Sequence, residues 1–73
     1  MIKLEPAEVF DQGIVGTDKE TDRFIYSLSK LLAALINEWD LDEDGAFEWL
    51  IYNTLGTHIE GYPIILNDLD EEN

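Results

Sequence analysis

The chain has 73 residues, 17 acidic side chains, four basic ones, one histidine and no cysteine, for a formal net charge of −13 at pH 7. The length allows one domain with a small core. The absent cysteine excludes disulfides and thiolate chemistry, and the charge excludes unaided nucleic-acid binding, which needs Lys and Arg against phosphate. Yet 45% of the residues are hydrophobic and eight are aromatic, too many for a disordered acidic tail.

Residues 1–4 suit a short strand or extended arm, and Met1-Ile2-Lys3-Leu4-Glu5 does not read as a signal peptide. Pro6 suits the first turn of a short helix over 6–11, which Gly13 would end. Thr17-Asp18-Lys19-Glu20 has the form of a capping box: Thr17 would accept from the Glu20 N–H and the Glu20 carboxylate would return the bond. From that box to Trp39 the apolar residues recur at helical spacing, with Phe24, Leu28, Leu31, Leu35 and Trp39 in one row and Ile25, Leu32 and Ile36 beside it. This predicts a helix of about 20 residues, roughly 30 Å long, with Ser27 and Ser29 inside it.

Residues 40–45 break that helix. Asp42 or Asp44 would cap a second one over about 43–55, with Phe47, Leu50, Ile51, Thr54 and Leu55 on its inner face, Trp49 and Tyr52 to the side, and Gly56 as its stop. Tyr62-Pro63-Ile64-Ile65-Leu66 is short and β-branched, and suits a strand against residues 1–4 with Pro63 at its start. The expected fold is mainly α: a small single domain over 1–66 built on an antiparallel helical hairpin, with or without one short accessory strand pair. Residues 67–73 read as a solvated acidic tail.

The charge is unevenly distributed. Residues 1–30 hold six acids and all four bases, whereas residues 31–73 hold eleven acids and no Lys or Arg. Solubility needs a net charge of magnitude about 2–8 in a small domain, so the excess points to an interaction surface. Glu38, Asp40, Asp42, Glu43, Asp44 and Glu48 place six carboxylates within eleven residues. A rigid helix pair holding them would imitate the charge spacing of a nucleic-acid backbone and fit a basic cleft. Trp49 and Tyr52 stand close enough in sequence to be the apolar anchors of such a contact, and Trp39 and Tyr62 are further candidates.

Nothing catalytic competes with this reading. There is no phosphate loop, metalloprotease motif or triad spacing, and His58, the one histidine, reads as a loop or capping residue. The expectation is a non-enzymatic protein without a cofactor, binding a basic protein and neither nucleic acid nor membrane. The lack of cysteine fits a reducing cytoplasm. Homodimerisation through the long helix or an edge strand is a further route to stability for so small a chain.

Two resemblances carry further expectations. Asp40-Leu41-Asp42-Glu43-Asp44-Gly45-Ala46-Phe47-Glu48 resembles the start of an EF-hand calcium loop, with Asp40, Asp42 and Asp44 at the first three ligand positions, Gly45 at the turn and Phe47 at the apolar position. The family's bidentate glutamate at position 12 is here Ile51. That resemblance implies a calcium-binding module as an alternative function. In size and composition the whole chain resembles the small acidic bacteriophage-encoded inhibitors of the DNA-mimic type, which implies an inhibitor of a basic host protein acting in the bacterial cytoplasm. Immunity proteins against nuclease toxins share this composition. A small acidic structural or adaptor subunit is the remaining alternative.

Overall fold

A computed structural model of the chain describes residues 2–55 and 59–69. It contains three short helices and a three-stranded mixed sheet. The first helix, α1 (Ala7–Phe10), is entered through the Pro6 carbonyl, which accepts from the Val9 and Phe10 N–H groups at 3.1 Å each. A 3₁₀ turn over Asp11–Gly13 follows, as the Pro6 and Gly13 signals anticipate. Next come the strands β1 (Ile14–Asp18) and β2 (Arg23–Ser27), the helices α2 (Leu28–Trp39) and α3 (Glu43–Leu50), and β3 (Ile64–Leu66). The end of α3 widens into a π-helical turn over Ile51–Leu55.

The sheet order is β1-β2-β3, with β1 antiparallel and β3 parallel to the central β2. A two-residue turn cannot join parallel neighbours; the return needs a crossover. The α2–α3 segment supplies it. The core consists of Leu4, Val9, Phe10, Tyr26, Leu28, Leu31, Ala34, Leu35, Ala46 and Leu50. Phe10, Tyr26, Leu31, Leu35 and Leu50 are fully enclosed, each contributing about 1.5–3 kcal/mol of apolar burial.

The mainly-α expectation is therefore corrected to α+β, and the two helices form a crossover on a sheet instead of a free-standing hairpin. The long helix from the capping box to Trp39 does not form. In place of the box, Asp18 shapes the loop between β1 and β2: its carboxylate accepts from the Thr21 hydroxyl at 2.6 Å and the Glu20 N–H at 3.3 Å, and its carbonyl from the Asp22 N–H at 2.7 Å. Asp22, at φ 61°, completes the reversal. Asp and Thr side chains serve caps and turns alike, and here pairing with β1 decides. The helix starts later, where the Ser27 hydroxyl accepts from the Lys30 N–H at 3.2 Å. Ser27 is thus a cap and not a mid-helix residue.

Two smaller expectations also change. The partner of the Ile64–Leu66 strand is β2, with Ile25 opposite Ile64, Tyr26 opposite Ile65 and Ser27 opposite Leu66; Pro63 does precede the strand. Leu4 instead reaches the core by donating its N–H to the Tyr26 hydroxyl at 3.0 Å. On α3 and its π turn the buried residues among the described side chains are Ala46, Leu50 and Thr54, while Phe47 and Ile51 are 37% and 43% exposed; the Leu55 side chain lies outside the described ones. The inner face is rotated from the expected one because small Ala46 lets the helix approach on its own side. Gly56 and His58 lie outside the described residues.

Candidate functional site

The acidic residues are carried by the end of α2, residues 40–42 and α3. Asp40 takes the C-cap position of α2 in the left-handed region, at φ 57° and ψ 37°. A residue there reverses the chain after the last helical turn. Asp42 then caps α3: its side chain accepts from the Gly45 N–H at 2.7 Å and its carbonyl from the Ala46 N–H at 2.9 Å. Glu43 and Asp44 occupy the first turn of α3, where the helix dipole favours negative charge. The direction of α3 is fixed from its other side by aromatic packing. Trp49 lies 5.2 Å from Trp39 and 5.6 Å from Phe10, centroid to centroid.

Helical spacing sorts the outer residues of α3 and its π turn into two neighbouring rows. Glu43, Phe47 and Ile51 form one; Asp44, Glu48 and Tyr52 form the other. All six are exposed, and Tyr52 is 85% exposed. Acid and apolar side chains therefore alternate on one continuous face. Glu38, at the end of α2, is also exposed and accepts from the Gln12 side-chain amide at 3.2 Å. Among the described residues the one ion pair is Lys3–Asp11 at 3.2 Å, so none of the six expected contact carboxylates is neutralised by a neighbour.

The structure thus brings Glu38, Asp40, Asp42, Glu43, Asp44 and Glu48 onto adjoining exposed elements and separates the two expected anchors. Tyr52 stands out in solvent, whereas Trp49 is half-buried and holds α3 to α2 and α1. Phe47 and Ile51 are the surface residues that sequence reasoning put inside. Helical spacing could not reveal them, since Ala46 and Leu50 form an equally regular inner row.

The EF-hand arrangement is not what forms here. Residues from Glu43 onward are helical, so Asp44, Gly45, Phe47 and Glu48 belong to α3 instead of a loop. Asp42 Oδ1 is engaged as the helix cap. Among the described residues no three Asp, Glu or His side chains gather in a metal-holding arrangement.

A second polar cluster sits at the start of α2. The Ser27 hydroxyl donates to Asp68 Oδ2 at 2.6 Å, the Ser29 N–H to Oδ1 at 3.0 Å and the Ser29 hydroxyl to Oδ2 at 3.2 Å. The Ser27 hydroxyl, and after it the Ser29 N–H, hold the Asp68 carboxyl below the usual carboxylate range. The arrangement fastens residues 67–69 to α2. Leu69 packs against the core, and residues 70–73 of the expected tail lie outside the described ones.

No helix among the described residues is long and apolar enough to cross a membrane. Comparison with protein-family models, with curated proteins and with solved structures found no match.

Proposed function

We propose that this chain is a non-enzymatic protein-binding inhibitor or modulator that presents an acidic, DNA-mimicking face to a basic, nucleic-acid-binding protein. The observation that carries the reading is the outer face of α3. There Glu43, Asp44 and Glu48 stand exposed, with no basic partner among the described residues, beside Phe47, Ile51 and Tyr52. From Leu31 to the end of the chain no Lys or Arg offsets the acids.

The physical chemistry of such a face is specific. Uncompensated carboxylates raise the rate of encounter with a basic cleft and make it salt-sensitive. Lasting affinity then comes from apolar groups that become desolvated, with aromatic residues foremost. Charges on a capped helix hold a fixed spacing, as phosphates on a duplex do, and this separates mimicry from the diffuse attraction of an acidic tail. The setting that fits is the cytoplasm, that of a bacterial host for a phage-encoded chain.

Capture from a bacterial lysate at about 50 mM and about 1 M salt tests the reading. Wild type should retain nucleic-acid-binding proteins at the lower salt and release them at the higher. The combined substitutions Glu43→Gln, Asp44→Asn and Glu48→Gln leave the Asp42 cap intact and should abolish retention. Retention unchanged by salt or by these substitutions would refute it.

A further inference from the structure

Between the first residue of α2, the α3 segment and β3 lies a groove of about 370 Å³, lined by Leu28, Phe47, Thr54, Tyr62, Pro63 and Ile65. Leu28 and Thr54 are 4% and 3% exposed and Pro63 is buried, so part of the lining belongs to the fixed core. Phe47, more than a third exposed, gives it an open wall. The volume is at the lower end of the range of roughly 300–1,000 Å³ seen for ligand sites. It suits one large side chain better than a whole cofactor.

Charge decides what that side chain is attached to. Phe47 stands between Glu43 and Ile51 in its row, with Asp44 and Glu48 in the next. Asn67 also lines the groove and is followed by the exposed Asp68. Two bases lie near the lining, Lys30, two residues past Leu28, and Arg23, whose Nη1 donates to the Tyr62 carbonyl at 3.3 Å; the carboxylates of Glu43, Asp44, Glu48 and Asp68 outnumber them. A second copy of the chain would bring another −13 against these acids and be repelled, whereas a cationic segment would be drawn in.

We propose that this groove receives one apolar side chain, aromatic or branched aliphatic, projecting from a Lys- and Arg-rich segment of the basic partner. The inference rests on the acidic-face reading and adds its anchor: the carboxylates steer the segment, and the groove holds it.

Two synthetic peptides titrated onto the full chain at low salt test this: a Lys/Arg-rich peptide with one central Trp, and the same peptide with Ser in that place. The Trp peptide should bind about tenfold tighter or better and shift the amide signals of Phe47, Thr54 and Ile65. Asn67→Trp, which fills the groove from an exposed position, should remove that advantage and leave the Ser peptide's affinity unchanged. Phe47→Ser, which strips its open wall, should likewise weaken the Trp peptide, and dispersed amide spectra confirm that both variants fold. Equal, salt-sensitive affinities for the two peptides would overturn the groove and leave the acidic face standing. No binding of either peptide would overturn both. A concentration-dependent dimer lost on Asn67→Trp would give the groove to a second copy and likewise overturn the proposal.

Discussion

The Ser27 hydroxyl donates to the Asp68 carboxylate at 2.6 Å while accepting from the Lys30 N–H at 3.2 Å. One side chain thereby caps α2 and ties the segment after β3 to the helix that follows β2. The crossover is closed at the place where its two parallel strands end, with Ser27 opposite Leu66 in the register. Ser27→Ala should cost about 1–2 kcal/mol from the lost cap, read as a lower urea midpoint. Amide exchange at residues 67–69 should rise with it.

The same contact makes stability depend on acid. The Asp68 carboxyl is held below its ordinary range by the Ser27 hydroxyl first and the Ser29 N–H next. Asp18 is held low by the Thr21 hydroxyl first, against a burial penalty that exceeds the further help of the Glu20 N–H or of Arg23. A carboxyl that is more acidic when folded stabilises the fold fully above its unfolded value, about pH 4. That contribution is lost as pH falls through the folded value. Asp68→Asn should lower the denaturation midpoint at neutral pH, and its difference from wild type should narrow below about pH 4. A constant difference down to about pH 2 would contradict the assignment.

Gly13 marks where the 3₁₀ turn touches α2. A Cβ there would stand 2.7 Å from Leu31 Cδ2 and 3.1 Å from its Cγ. Leu31 is fully enclosed, so it has no free space in which to turn aside. Gly13→Ala should destabilise by about 1–3 kcal/mol through overpacking, measured by chemical denaturation with the slope unchanged.

The N-terminal arm depends on one buried hydroxyl. Tyr26 is fully enclosed and accepts the Leu4 N–H; burial, the largest influence on it, pushes its phenol above the ordinary value. Tyr26→Phe should cost about 1–3 kcal/mol, because the Leu4 donor is left unsatisfied in the core. The Leu4 amide should then exchange faster while the amides of α2 change less.

What could be read from the sequence follows from the range of the interactions involved. The Pro6 entry, the Asp42 cap, the Leu28, Leu31 and Leu35 row and the acidic stretch 38–48 are local, and the structure keeps them. The sheet is not local: β2 finds β3 some 39 residues later, as Ile25 opposite Ile64 shows. The misplaced helix start has a geometric cause as well. Phe24 and Leu28 are four residues apart, a spacing that satisfies the helical period and the strand period of two at once. Aromatic and β-branched Phe24-Ile25-Tyr26 then follows its strand preference once β1 is present to pair with it. The candidate surface was legible as charge, since acids seldom bury. Its apolar members Phe47 and Ile51 were not, since hydrophobicity alone does not say which row faces out.

Stability and binding can be separated at Asp40. Its left-handed conformation, φ 57°, suits glycine better than any side chain. Asp40→Gly should hold or raise stability, by up to about 1 kcal/mol. It should also weaken association with a basic partner, because an exposed carboxylate is lost. Thermal unfolding and binding measured on one sample distinguish this from a purely structural Asp40, which would leave affinity unchanged.

The central claim is that the outer face of α3 competes with nucleic acid for a basic cleft. The most direct measurement is displacement of a labelled DNA duplex from the captured partner, followed by fluorescence anisotropy over a series of salt concentrations. Wild type should displace the duplex, with an affinity that falls steeply as salt rises. The Glu43→Gln, Asp44→Asn, Glu48→Gln variant should lose about tenfold or more and show a shallower salt dependence. A variant that displaces the duplex as well as wild type does, or a wild type that binds the partner without displacing the duplex, would contradict the account.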